Sequence, residues 1–183
     1  MQDPATLSDN ELIAASLDGD ASAFGLLVLR YRKLAIGVAY RMCGDGALAE
    51  DIAQDTFVRV WDKLHTFRPS GSFKSWMCRI ATNLTIDMLR RQRPSVDVEQ
   101  VSIEDSAERP EASALRQERA SAVRTAIAGL PEQTRAALIL RQYEGLSYQE
   151  VADALDIPMG TVKSRLSDAR RRLKVALAGY MEG

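Results

Sequence analysis

The sequence predicts an all-α protein: two small helical domains joined by an acidic flexible linker. Three observations lead there. Apolar residues recur at three- and four-residue spacing along most of the 183 residues, and no segment alternates like a strand. Helix start and stop signals bracket the periodic runs. One stretch, Ser95 to Ser113, has no helical period, is acidic, lacks aromatic residues and holds Pro110. The expected division is 1–93, a linker at 94–115, and 116–183.

The elements follow in order. Ser8-Asp-Asn-Glu11 is a capping box, with Leu12, Ile13 and Leu17 on one face. Asp20 caps a long second helix carrying Phe24, Leu27, Val28, Tyr31, Leu34, Val38 and Met42, and Gly44 ends it. A third helix runs from about Ala47 to Leu64. It is expected to bury Ile52, Ala53, Phe57, Val60, Trp61 and Leu64. The Arg68-Pro-Ser-Gly71 turn precedes a fourth helix, Phe73 to Gln92, which Pro94 stops. In the second domain a helix spans about Ala114 to Gly129. Pro131 suits the first turn of the next, because its missing N–H would be unpaired there. Two more helices follow a turn at Glu144-Gly145-Leu146-Ser147.

Composition excludes several classes. No apolar run reaches the ~18 residues of a membrane span. The polar start MQDPATLSDNE lacks a secretory pattern, so a cytoplasmic protein without membrane insertion is expected. Cys43 and Cys78 are too few and too far apart for a disulfide framework or a zinc site, and read as small buried residues. The net charge of −1 conceals a division. Residues 1–93 carry 12 basic and 11 acidic side chains, residues 94–115 one against 6, and residues 116–183 carry 11 against 8. The acid is concentrated in the linker.

Leu146 to Leu173 has helix-turn-helix logic. Ser147 caps a short helix with Glu150 three residues on, and Val151 and Leu155 share its buried face. Ala152 is small enough for a close crossing. Asp156 falls where the turn wants a left-handed residue, and Ile157 plugs it. The last helix buries Val162, Leu166, Ala169 and Leu173. Lys163, Ser164, Arg165, Ser167, Asp168, Arg170, Arg171, Arg172 and Lys174 remain outside. Hydroxyls and cations on such a helix can read base edges or clamp phosphates in a major groove.

In the first domain, Phe67, Phe73 and Trp76 lie close in sequence to Lys74 and Arg79, and an Arg90-Arg91-Gln92-Arg93 cluster closes the helix. Rings that stack bases beside cations that hold the backbone suit a single strand. Asn83 and Asp87 lie one turn apart on one face. The third helix shows Glu50, Asp51, Gln54, Asp55, Arg59 and Asp62, either a solvated face or a docking face.

The segments AEDIAQDTFVRVWDKL, FKSWMCRIATNLTIDMLRR and LPEQTRAALILRQYEGLSYQEVADALDIPMGTVKSRL are together similar, in order and spacing, to the extracytoplasmic-function sigma factors of bacterial RNA polymerase. The resemblance covers roughly Leu7 to Leu177. It implies a non-enzymatic subunit that binds core RNA polymerase and directs initiation at particular promoters. Asp51, Gln54, Asp55 and Arg59 would lie on the polymerase-docking surface. Phe67, Arg68, Phe73, Lys74, Asn83, Asp87, Arg90 and Arg91 would melt and read the minus-10 element. Thr161, Lys163, Ser164, Arg165, Ser167, Asp168 and Arg171 would read the minus-35 element. Promoter DNA and an anti-sigma protein are the further partners implied. Because the chain ends soon after its last helix, that inhibitor is expected to be separate.

Two departures bear on specificity. Ser167 and Asp168 stand where relatives can carry larger or basic groups, so Asp168 is expected to accept from a cytosine amine or a neighbouring arginine. The loop Pro69-Ser70-Gly71-Ser72 is small and polar. The competing reading is a helix-turn-helix regulator with an effector or dimerisation domain over 1–93. No Gly-rich phosphate loop, metal cluster or nucleophile elbow suggests an enzyme, and no cofactor is expected. His65 reads as a surface or capping residue.

Overall fold

Local caps set the helix boundaries in the computed structural model, which describes residues 7–92 and 114–181. The first helix, α1 (Asp9–Leu17), starts on a capping box: the Ser8 amide donates to Glu11 Oε2 at 2.8 Å and the Glu11 amide to Ser8 Oγ at 3.3 Å. Asp20 opens α2 (Ala21–Cys43) by accepting from the Ser22 and Ala23 amides. Gly44 closes it at φ 77°, in the left-handed region that glycine enters without strain. Asp45 caps α3 (Gly46–Lys63), and a short 3-10 turn (Leu64–Thr66) holds the exposed His65. The turn at residues 68–71 closes with a 2.9 Å bond from the Gly71 amide to the Arg68 carbonyl and leads into α4 (Phe73–Gln92).

The second module holds α5 (Ala114–Ala128), α6 (Glu132–Gln142), α7 (Tyr148–Leu155), α8 (Met159–Ala176) and α9 (Ala178–Met181). Pro131 occupies the N-cap position of α6 rather than its first turn. Its fixed φ of −52° still aims the chain into the helix, while its ring provides no capping acceptor. The expected linker, apart from its last two residues, and Arg93 lie outside the described residues. No helix among the described residues is long and apolar enough to cross a membrane.

The first module packs α1, α2, α3 and α4 around Leu12, Leu27, Phe57, Val60, Leu64, Phe73 and Met77. Its far end has a smaller core of Ala39, Ala49, Ile52 and Leu84. A further core belongs to both modules. Val38 and Met42 from α2 and Cys78, Ala81 and Ile86 from α4 join Ile127, Ile139, Leu140, Val151, Leu155, Val162 and Leu166 of the second module. Arg135, only 8% exposed, fastens this junction. Its guanidinium donates to the carbonyls of Met42, Ala128 and Leu130, at the C-terminal ends of α2 and α5. A cation is favoured where helix carbonyls run out of partners.

Two sequence expectations need correcting. Trp61 is 45% exposed, because it flanks the buried stripe of α3 instead of sitting in it. Cys43 is half-buried, whereas Cys78 is fully buried, and burial pushes the Cys78 thiol up to about 12. A thiol held protonated at neutral pH behaves as a small apolar side chain.

Candidate nucleic-acid interface

Three surfaces emerge from this framework. The first is the helix-turn-helix. Ser147 and Glu150 form a reciprocal capping box at the start of α7, with bonds of 2.8 and 3.1 Å. The amide bonds from Ser147 hold the Glu150 carboxyl below its ordinary value. Asp156 ends α7 at φ 53°, ψ 50°, the left-handed turn expected of it, and the Ile157 amide closes back on the Ala152 carbonyl at 3.0 Å. Val162, Leu166 and Ala169 then bury one face of α8, and Leu173 packs half-buried against the same core.

What α8 shows outward is the predicted set, with two qualifications. Lys163, Ser164, Ser167 and Arg171 are exposed. Thr161 and Arg165 are half-buried, and Arg165 is turned inward to Gln133 Oε1 at 3.1 Å. Asp168 receives Arg172 at 2.7 Å and Arg171 at 2.5 Å, which hold its carboxyl below the usual range. The acid expected to meet either a base or a neighbouring arginine meets two arginines.

The second surface is the loop before α4 and the helix itself. Arg68, Pro69, Ser70, Gly71 and Ser72 are exposed. Asn10 of α1 tethers the loop through the Pro69 carbonyl at 3.4 Å. Behind it the rings interlock: Phe67 lies 5.6 Å from Phe73 and 5.5 Å from Trp76, and Tyr31 lies 5.2 Å from Phe73. Phe73 was expected to serve DNA, but at 3% exposure it is a core ring. Its place in the first turn of α4, facing Met77 one turn on, puts it on the buried stripe. Phe67 and Trp76 keep half-buried edges. Asn83, Asp87, Arg90 and Arg91 are exposed along α4, whereas Lys74 is half-buried and donates to the Glu144 carbonyl.

The third surface lies on α3. Asp51, Gln54, Asp55 and Arg59 are all exposed. Beside them a groove of about 410 Å³ opens between α2 and α3, floored by Phe24, Val28, Ala53 and Phe57 and edged by Trp61. Trp61 meets Phe24 edge to face at 4.8 Å. Sequence reading missed this apolar rim. The signal available was position: Trp61 follows Phe57 by four residues and Val58 by three, so it borders the stripe on the side of Gln54.

Comparison with known proteins places the chain in a family. The profile of sigma-70 region 2 matches residues 27–95, and that of sigma-70 region 4 matches residues 120–173. The chain is 38% identical over 180 residues to the RNA polymerase sigma-H factor of Pseudomonas aeruginosa, covering 92% of this chain and 93% of that one. It is 34% identical over 178 residues to the ECF RNA polymerase sigma-E factor of Escherichia coli K12, covering 91% and 93%. The chain belongs to the extracytoplasmic-function sigma factors. Its loop and α4 fall inside the region 2 match, and α8 as far as Leu173 falls inside the region 4 match. Among solved structures, this sigma factor is similar to CnrH in complex with the cytosolic domain of CnrY, at 30% identity and a TM-score of 0.71 over 93% of this chain and 97% of that one. It is also similar to the sigma factor RpoE in complex with the anti-sigma factor NepR from Bartonella quintana. That match has 26% identity and a TM-score of 0.69 over 85% and 96%.

Proposed function

We propose that this sigma factor docks on core RNA polymerase through the α2–α3 surface and reads a promoter with two separate helices. Asp51, Gln54, Asp55 and Arg59 meet the polymerase, with the apolar groove beside them. The loop at residues 68–72 and the outer face of α4 engage the minus-10 element. Arg68, Asn83, Asp87, Arg90 and Arg91 supply polar contacts there. On α8, Thr161, Lys163, Ser164, Arg165, Ser167 and Arg171 engage the minus-35 element. Asp168 orients Arg171 and Arg172. The protein acts in the cytoplasm, where the DNA is, and an anti-sigma protein holds it in reserve. The observation that carries the reading is the pairing of two helices with exposed basic side chains, α4 and α8, on separate modules, within a chain aligned over its length to sigma factors.

The work done is binding work, and the chain makes or breaks no covalent bond. Extracting a base from the duplex costs a few kcal/mol. Stacking it on an aromatic edge returns about 1–3 kcal/mol. Phe67 and Trp76 carry the half-buried edges suited to this, and Phe73 braces them from behind. Arg90 and Arg91 then hold the backbone, an electrostatic contribution that weakens with salt. Permanganate probing tests the assignment. Thymines of the minus-10 element should become reactive only with chain and core polymerase together. Arg91→Ala should reduce that reactivity several-fold, and reactivity unchanged in Phe67→Ala and Arg91→Ala alike would remove this surface from the reading.

A further inference from the structure

The first turn of α1 makes more contacts than its attachment requires. Leu12 and Ile13, buried in the core of the first module, already hold that helix in place. Arg30 of α2 clasps its start as well. One guanidinium nitrogen donates to Asp9 Oδ1 at 2.6 Å and the other to the Leu7 carbonyl at 2.8 Å. The second oxygen of the Asp9 carboxylate accepts from the Tyr31 hydroxyl. An acid in the first turn of a helix is also favoured by the helix dipole. The next residue, Asn10, reaches instead to the Pro69 carbonyl at 3.4 Å. Two neighbouring side chains of one turn thus contact both the loop before α4 and the tyrosine behind it.

Tyr31 stands at the root of the rings assigned above to the extracted base. Its spacing from Leu27 and Leu34 puts it on the buried stripe of α2. Its ring meets Phe73 edge to face, with centroids 5.2 Å apart and planes at 67°. Phe73 in turn meets Phe67 at 5.6 Å and 86°, and lies 5.8 Å from Trp76. Phe73 has no polar atom of its own, so its setting follows from the rings around it. Contacts between rings can slide, whereas a hydrogen bond to a carboxylate is short and directional. Burial, and after it the bond to Asp9, push the Tyr31 phenol above its ordinary value, so the hydroxyl remains a donor at neutral pH. The result is a continuous path from a fixed carboxylate to the half-buried edges of Phe67 and Trp76.

We propose that Asp9 and Tyr31 are positioning residues for base capture: the carboxylate holds the phenol, the phenol ring sets Phe73, and Phe73 sets Phe67 and Trp76. The inference rests on the assignment of those two edges to the minus-10 base and deepens it. Both residues act through Phe73, and neither is itself a stacking residue. A stacked base contributes about 5- to 150-fold in affinity. A gap of about 0.5–1 Å forfeits about a quarter to a half of a dispersion contact. Loosening this strut should therefore weaken capture about threefold.

The test measures the affinity of the polymerase-bound sigma factor for forked minus-10 DNA, with each single-stranded base either present or replaced by an abasic site. The ratio of the two affinities reads base capture and is blind to the fraction of protein that is folded. Wild type should show its largest ratio at the captured base. Tyr31→Phe keeps the ring, loses the hydroxyl and should lower that ratio about threefold. Asp9→Asn should do the same, and the double variant should fall no further, because the two act as one unit. Ser8→Ala removes the cap hydroxyl of α1 and neither of these contacts, so its ratio should match wild type. A ratio as low in Ser8→Ala as in Tyr31→Phe overturns the positioning role, since any loosening of α1 would then suffice. A ratio lowered by Phe67→Ala and untouched by Tyr31→Phe and Asp9→Asn overturns it too, and leaves base capture by this surface standing. A ratio that Phe67→Ala leaves unchanged sinks base capture here, and the positioning role with it.

Discussion

Arg135 shows how much one side chain can organise. It is buried, charged, and answered by carbonyls at the ends of two helices, one in each module. Hydrogen bonds to a charged group contribute about 1.5–3 kcal/mol each. Arg135→Ala should therefore lower unfolding stability by about 3 kcal/mol in urea titration, and Arg135→Lys should recover only part, because one ammonium cannot reach all three acceptors. The Ser147–Glu150 cap is a second residue-scale test. Ser147→Ala should cost about 1 kcal/mol. Bonds from Ser147 depress the folded Glu150 carboxyl below its ordinary 4.5. That stabilisation is present above 4.5 and is lost as pH falls through the folded value. The amide bond of residue 147, the larger cause, survives in Ser147→Ala, so only the hydroxyl's share of the gap should narrow as pH falls below 4.5. Glu144 has the opposite sign: burial raises its carboxyl, so the charge costs stability at neutral pH and the cost is relieved on acidification. At the same scale, Asp168→Asn frees Arg171 and Arg172. It should raise the affinity of the polymerase-bound sigma factor for DNA about threefold across sequences and steepen its salt dependence. An unchanged salt slope would mean that those arginines do not face phosphates.

The elements were the most legible level of this sequence, for a local reason. Caps are decided within four residues, so Ser8, Asp20, Gly44, Ser147 and Asp156 could each be read without knowing the tertiary structure. The stripes of α3 and α8 were equally plain at their centres. Their flanks were not, because a residue beside a stripe is covered or bare according to what crosses above it. Trp61 is bare because no described residue lies over the α2–α3 groove. Phe73 is covered because α4 turns its first residue toward Tyr31 and Met77. Leu166, 1% exposed at the centre of α8, offers the element-scale test. Leu166→Ala should cost about 2–5 kcal/mol and loosen the helix-turn-helix. Lys163→Ala on the outer face of the same helix should leave stability within about 0.5 kcal/mol. It should still weaken minus-35-dependent binding.

At the scale of the molecule the sequence announced two modules and left their meeting unannounced. The contacts that join them, Arg135 to Met42 and Arg41 to Glu144, connect positions 93 and 103 residues apart. No periodicity spans such a distance, and Val38, Met42 and Cys78 read from the sequence as apolar residues of the first module. The shared core draws on α2 and α4 of the first module and on α6, α7 and α8 of the second.

The central claim is that this chain gives RNA polymerase its choice of promoter. The most direct measurement adds the purified chain to sigma-free core polymerase and sequences the transcripts made from fragmented genomic DNA of its host. The account predicts defined start sites that share one minus-10 and minus-35 pair. It further predicts that Lys163→Ala weakens initiation according to the minus-35 sequence and Arg91→Ala weakens opening. Folded chain that yields no initiation above core polymerase alone, with no inhibitor present, would contradict it.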